Sequence, residues 1–468
     1  MTSAVLPLVA LAAAAVAMLL FYRPGYVAVM FGLALPLGAL EPPGGIPMSI
    51  AMSVLVIAVA MVQRLQRGLL PLPRSWPTLM AVIWSVGVLF SVLLGPSLIK
   101  AATFGMWQIV SFLLAICWAE VAGRPSVFRK AVVATLIGGT IVALSGPFMA
   151  SGEVEVAFGG SVVSNRPTGV FAQPNEYGLF CLLMLVFALG IFAGTRGSLR
   201  LLSGGASTAA TVGLLISLSR GAWVGAAGGV IALLVLMPQF RRIFVVGGLG
   251  ILAALSAIML SPVQIPFASV VVSRALTINA DAENPYDFRP LFRAEGLRLW
   301  EASPWFGQGP NSFPELSTGI NSVARPGGAE HAHTLLLAIG SEQGLIGLAA
   351  LIGLGASVVF AAAIVRPSLV ATHRANRIRN HGELPKLRKS PPLSAVVTVS
   401  ASAALAGFVV EGLADFAIRN PLSRTTLFLL IGWALAGYRL RKIELATLTT
   451  QASRMPGPLV SKAAEGVG

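Results

Sequence analysis

Charge is scarce in this sequence, and acid is the scarcest part of it. Asp and Glu number 18 and Lys and Arg 33, so 11% of 468 residues are charged against 56% hydrophobic. With a mean hydropathy of +0.82, an ordinary soluble globule is excluded and the chain reads as a polytopic membrane protein. Cysteine is nearly absent: Cys117 and Cys181 both fall inside apolar runs, which leaves no disulfide framework and no cysteine metal site. No convincing internal repeat is present, which argues against a transporter built from inverted halves. Acids are almost missing from the apolar runs, with Glu411 and Asp415 near a helix end, which argues against an ion transporter.

The net charge of +15 does not point to nucleic acid, because the basic residues sit in small groups between apolar runs rather than on one amphipathic face. They read as topology signals. Apolar windows predict an all-α protein of about thirteen spans, from 4–22 to 425–438, with Met1–Tyr22 a retained first helix rather than a signal peptide. The segment 26–40 is short and contains Pro36; read as re-entrant, it reduces the number to about twelve. If the spans alternate, the groups around Arg64, Arg124, Arg196, Arg241, Arg366–Lys389 and Arg439 share one side, the cytoplasm. Loops 150–174 and 262–335, the turn at Arg220 and 412–424 then lie on the extracytoplasmic side. The organisation expected is transmembrane helices over 1–261, a large catalytic loop over 262–335, further helices over 336–446 with a basic cytoplasmic loop at 366–392, and a disordered tail from Thr447. Membrane lipids are the expected surroundings; segment 366–392 suits anionic headgroups but reads first as a positive-inside loop with no further task.

The chemistry-bearing residues concentrate in the polar segments. LSLSRGAW at 216–223 breaks an apolar stretch that is too long for one helix, and predicts a hairpin with Arg220 at its apex. Such an arginine either snorkels or meets an anion. Arg166 to Glu176 is turn-rich, with Asn175 a candidate N-cap; it either supplies Arg166 and backbone N–H groups to an anion or is only a turn. In the large loop, which also carries Arg289, Pro290 and Pro304 bracket a predicted helix over 291–302 with Arg293, Leu297 and Trp300 on one face. His331 and His333, placed on a helix, would point about 200° apart, with Glu330 the only nearby acid, so no metal is expected. Asp281 and Glu283 read as a solvated loop rather than a metal grip. One histidine acting as a base needs no metal.

Arg166–Asn175, Ser219-Arg220, Arg293-x-x-x-Leu297, Trp300-x-x-x-Pro304 with Gly307-x-Gly309-x-x-x-Phe313, and His333-Thr334 followed by Gly344-x-x-Gly347 together resemble the O-antigen ligase and polymerase family. The resemblance covers roughly residues 160–360. It implies a C-type (GT-C) membrane glycosyltransferase of the bacterial inner membrane, without cofactor or metal. Such an enzyme moves a glycan from an undecaprenyl pyrophosphate to an acceptor hydroxyl, a glycan or lipid, on the extracytoplasmic side. It further implies His333 as catalytic base and Arg220 and Arg293 as pyrophosphate ligands. Arg166, Asn175, Arg289 and His331 are further candidates for substrate binding. The family usually has Asn, Ser or Gln after the histidine, where this chain has Thr334, which leaves ligase and polymerase open. A flippase of lipid-linked sugars is the competing reading, and it has no need of a base.

Overall fold

The computed structural model describes residues 23–41, 45–149, 154–156, 162–164, 166–260, 289–320, 331–381 and 390–453. The predicted span at 4–22, Asp281 and Glu283 lie outside them. The described chain is helical apart from a two-stranded antiparallel hairpin in the 150–174 loop. Its strands, β1 (Val154–Val156) and β2 (Val162–Ser164), pair with Val154 opposite Ser164, and their valines suit a pleated strand.

The helices follow the apolar runs. They are α1 (Tyr26–Leu33), α2 (Met48–Gln66), α3 (Trp76–Leu94), α4 (Leu98–Ala122), α5 (Pro125–Leu144), α6 (Pro174–Gly194), α7 (Ser198–Ile216), α8 (Arg220–Leu236), α9 (Pro238–Leu260), α10 (Arg289–Ala302), α11 (Phe313–Leu316), α12 (Leu335–His381), α13 (Leu393–Gly412) and α14 (Pro421–Ser453). Among the described residues, eight helical stretches are long and apolar enough to cross a membrane, and α8 is a shorter apolar helix. The 26–40 run is a two-turn helix followed by a 3₁₀ segment at Leu35–Ala39, too short to span by itself. At the centre, α6 packs on α7, α8 and α13, and α13 also packs on α14. Gly225 and Gly407 make the α8–α13 approach possible, since a Cβ on either would fall within 3 Å of the other residue's carbonyl oxygen. Both cysteines are buried and free.

Polar groups collect at the two ends of the bundle. At one end Glu120 of α4 pairs with Arg64 at 3.2 Å and Arg439 at 2.5 Å, while Arg441 donates to Ser368 at 3.1 Å. Of the basic groups expected to share a side, those of Arg64 and Arg439 meet on Glu120. Two boundaries differ from the sequence expectation. The basic segment 366–392 is not a loop throughout, because α12 continues to His381. The tail expected from Thr447 is helical to Ser453, as α14 runs on past its apolar part.

Within α12, Gly344 sits at φ +66° and ψ −163°, so the helix is broken there. A broken helix leaves carbonyls and N–H groups without partners, and the large loop supplies them. Gln308 and Gly309 donate to the Ser341 and Glu342 carbonyls at 2.8 and 3.0 Å, while Leu345 and Ile346 donate to the Pro304 and Trp305 carbonyls at 2.8 and 3.2 Å. Cβ atoms at Gly307 or Gly344 would collide with backbone across this seam. The glycine pattern thus welds the loop to the bundle above the broken helix.

Candidate active site

The other end of the bundle carries the candidate residues. The loop at 331–334 precedes α12 instead of belonging to it, which corrects the helical placement of the two histidines. Thr334 caps the helix, its hydroxyl accepting from the Leu337 N–H at 3.3 Å. Asn and Ser do the same job at N-caps, so Thr334 does not separate a ligase from a polymerase.

His333 has φ +53°, a conformation that costs a non-glycine residue about 1–3 kcal/mol and collects at functional sites. Three contacts hold it. Its N–H donates to His331 Nδ1 at 3.1 Å, its ring stacks on Phe292 of α10 at 5.5 Å, and its Nδ1 faces Asp415 Oδ1 at 3.5 Å. The two imidazoles are 4.4 Å apart, not turned away from each other. At 3.5 Å the Asp415 contact is long, and Nδ1 has no closer partner; such contacts tighten when a substrate is bound.

Asp415, in the loop between α13 and α14, is the residue that sequence reasoning set aside. Its Oδ1 accepts from the Phe416 N–H at 2.8 Å and its Oδ2 from Asn175 Nδ2 at 2.8 Å. Burial alone would raise its carboxyl, but the neighbouring His333 and His331 and the Phe416 N–H hold it below the usual aspartate range. Asn175 in turn accepts from Arg166 Nη2 at 3.3 Å, and Arg166 donates from Nε and Nη2 to the Ser217 carbonyl at 3.1 and 2.7 Å. A hydrogen-bonded chain therefore runs from the α7–α8 turn through Arg166 and Asn175 to Asp415, which faces His333. Asn175 is free for this because it is not the N-cap. Gln173 occupies that position, with Glu176 accepting its N–H at 3.2 Å.

The arginines flank this chain. Arg220 is the first residue of α8, capped by Ser219, and the predicted hairpin is present, with Leu218 at φ +52° in its turn. Arg289 and Arg293 lie on α10, whose buried face is Phe292, Gly296 and Leu299, not the Arg293–Leu297–Trp300 stripe. Gly296 lets α10 approach the histidine loop closely, as a Cβ there would meet Ala332 at 2.5 Å. Arg293 follows the phenylalanine stacked on His333, and its Nε is buried without a hydrogen-bond partner. Arg298 is committed to Glu295 at 2.6 Å.

Residues 205–352 match the sequence model of the O-antigen ligase family. The match supports assignment to the O-antigen ligase and polymerase family. These are membrane glycosyltransferases, and the matched segment runs from α7 into α12 with Arg220, Arg289, Arg293, His331 and His333 inside it. Arg166, Asn175 and Asp415 lie outside it. No curated protein matches the chain.

His331, His333 and Asp415 bring ligand atoms within 4.8 Å of one another, a spacing that a metal ion can use. His331 Nδ1 is taken up by the His333 N–H, which leaves a metal only His331 Nε2, a nitrogen of His333 and an Asp415 oxygen. His331 is buried, and burial first, then the charges of His333, Arg419 and Arg289, push its imidazole down to about 3 against the opposing pull of Asp415. An unfolded chain protonates this side chain below its ordinary value of 6.5, whereas the folded one resists until about 3. Stability should therefore fall as pH falls through that window. Melting temperatures from pH 6.5 down to the ordinary aspartate value of 3.8 should drop less steeply for His331→Asn than for the wild type. Parallel slopes would show that His331 titrates normally in the folded protein.

Proposed function

We propose that the protein moves a glycan from an undecaprenyl pyrophosphate to an acceptor hydroxyl, at the extracytoplasmic end of the bundle, with inversion and without a metal. The observation that carries this reading is the partly exposed His333 held at a strained backbone by Asp415 and Phe292. With the Nδ1 proton directed at Asp415, Nε2 is the basic nitrogen. It takes the acceptor's proton as that oxygen attacks the anomeric carbon. The bond to the pyrophosphate breaks on the opposite face, and its electron pair leaves with the phosphate oxygen. Arg220 and Arg293 would receive the developing charge, where fixed guanidinium groups shielded from water act most strongly.

A place for the lipid chain supports the same reading. An apolar cavity of about 970 Å³ between α12, α13 and α14 begins at Leu335, two residues after His333, and reaches Arg366 and Arg374 near the basic end. Its lining, including Leu348, Val358 and Phe408, matches a polyprenyl tail in chemistry. A flippase needs the cavity and the arginines but not a base in a strained, carboxylate-supported loop.

The test is transfer by the purified protein from a prenyl-pyrophosphate-linked glycan. Arg220→Ala and Arg293→Ala should each lose roughly 10²-fold or more in rate, and Lys should restore only part, because a point charge replaces a fork of donors. Full activity in either Ala variant would remove that arginine from the site.

A further inference from the structure

Phe416, whose ring packs on His331 at 5.6 Å, also lines a second, narrow cavity of about 30 Å³ between α3, α4, α12 and α14. Space of that size holds about two waters or a group of similar bulk. Arg424, in the first turn of α14, lines it and is only 5% exposed. Its Nε and Nη2 have no hydrogen-bond partner. Those two nitrogens form the side edge of the guanidinium, which accepts a carboxylate through two parallel hydrogen bonds. Trp84 of α3 also lines the cavity, and its indole N–H is buried and unpartnered. Every unpartnered buried polar atom among the lining residues is thus a donor. Glu342 shares the cavity without bonding to this edge of Arg424. A buried cation with unused donors is costly unless an anion completes it, and a positive charge in the first turn opposes the helix dipole.

We propose that this cavity is a carboxylate subsite, taking the acid group of an acidic sugar unit. Anion binding follows from the donors alone, whereas the sugar rests on the glycan-transfer reading. Phosphate, with four oxygens, is the poorer fit to the space. Arg424 and Trp84 would grip the carboxylate oxygens, and Phe416 would couple an occupied cavity to the histidine loop.

Purified full-length protein in detergent is titrated with methyl glucuronide, methyl glucoside and sodium acetate, with thermal unfolding and equilibrium binding as readouts. The glucuronide and acetate should bind and raise the melting temperature, and the neutral glucoside should not. Arg424→Gln should abolish the response, and Trp84→Phe, which keeps the ring and the fold, should weaken it roughly tenfold. Glu342→Gln should strengthen it by removing a competing anion. Equal responses to glucuronide and glucoside would overturn the proposal. So would no response to either anion, with Glu342→Gln as destabilising as Arg424→Gln, since Arg424 would then serve only as that acid's partner. Binding of acetate without the glucuronide would overturn the acidic-sugar assignment while leaving an anion site, and would count separately from any failure of transfer itself.

Discussion

Replacing His333 by alanine should lower the transfer rate ~10²–10⁴-fold, the usual cost of losing a positioned base, while prenyl-pyrophosphate binding stays near wild type. The two effects separate because the proposed phosphate ligands are Arg220 and Arg293, whereas His333 handles the acceptor's proton. Alanine keeps a Cβ at φ +53°, so the backbone strain is unchanged and the loss is confined to the stacking on Phe292. The variant should therefore remain folded, which gel filtration and melting temperature would show. Binding of the donor that fell in parallel with the rate would place His333 on the phosphates instead. Transfer at the wild-type rate would leave the flippase reading ahead.

The second large effect is expected at Asp415, a positioning residue that acts through His333. Asp415→Asn keeps the shape but places an amide where the carboxylate accepts from Asn175 at 2.8 Å and faces His333 Nδ1 at 3.5 Å. An amide nitrogen turned toward the imidazole favours the tautomer with its proton on Nε2, which cannot act as the base. The rate should fall about 10²-fold or more, with kcat reduced and KM for the donor unchanged. Asn175→Ala should follow in the same direction with a smaller loss, since it removes one hydrogen bond to Asp415. If Asp415 instead held a metal with the two histidines, chelators would silence the wild-type enzyme and a divalent cation would restore it. The base reading predicts that chelators leave the rate unchanged. A fall in donor affinity with kcat intact would show that Asp415 shapes the binding site and not the base.

Much of this was legible from the residues because membrane helices announce themselves by length and apolarity. The hairpin at Arg220 and the helix on which Arg293 sits were both placed by local signals, a polar break in one case and two prolines in the other. What failed was inference from position along an assumed helix. His331 and His333 were set 200° apart by helical geometry, but Thr334 starts the helix after them and a left-handed residue folds them together. Asp415 was passed over because it lies 82 positions from His333, and only the packing of the α13–α14 loop against the histidine loop joins them. A signal was nonetheless present: in a chain so poor in acids, two carboxylates four residues apart at a helix end are unusual. The broken helix at Gly344 was hidden for a similar reason. Its glycine pattern was visible, but the loop segment that repairs the break lies some forty residues earlier.

The most direct measurement is of the products formed by purified wild-type protein supplied with a prenyl-pyrophosphate-linked glycan and an acceptor. The account predicts one free prenyl pyrophosphate released for each new glycosidic bond, with the configuration at the anomeric carbon inverted. Retained configuration would contradict direct attack assisted by His333. Lipid-linked glycan that crosses the membrane of a reconstituted vesicle with its pyrophosphate bond intact, and with no bond formed, would contradict the enzyme altogether.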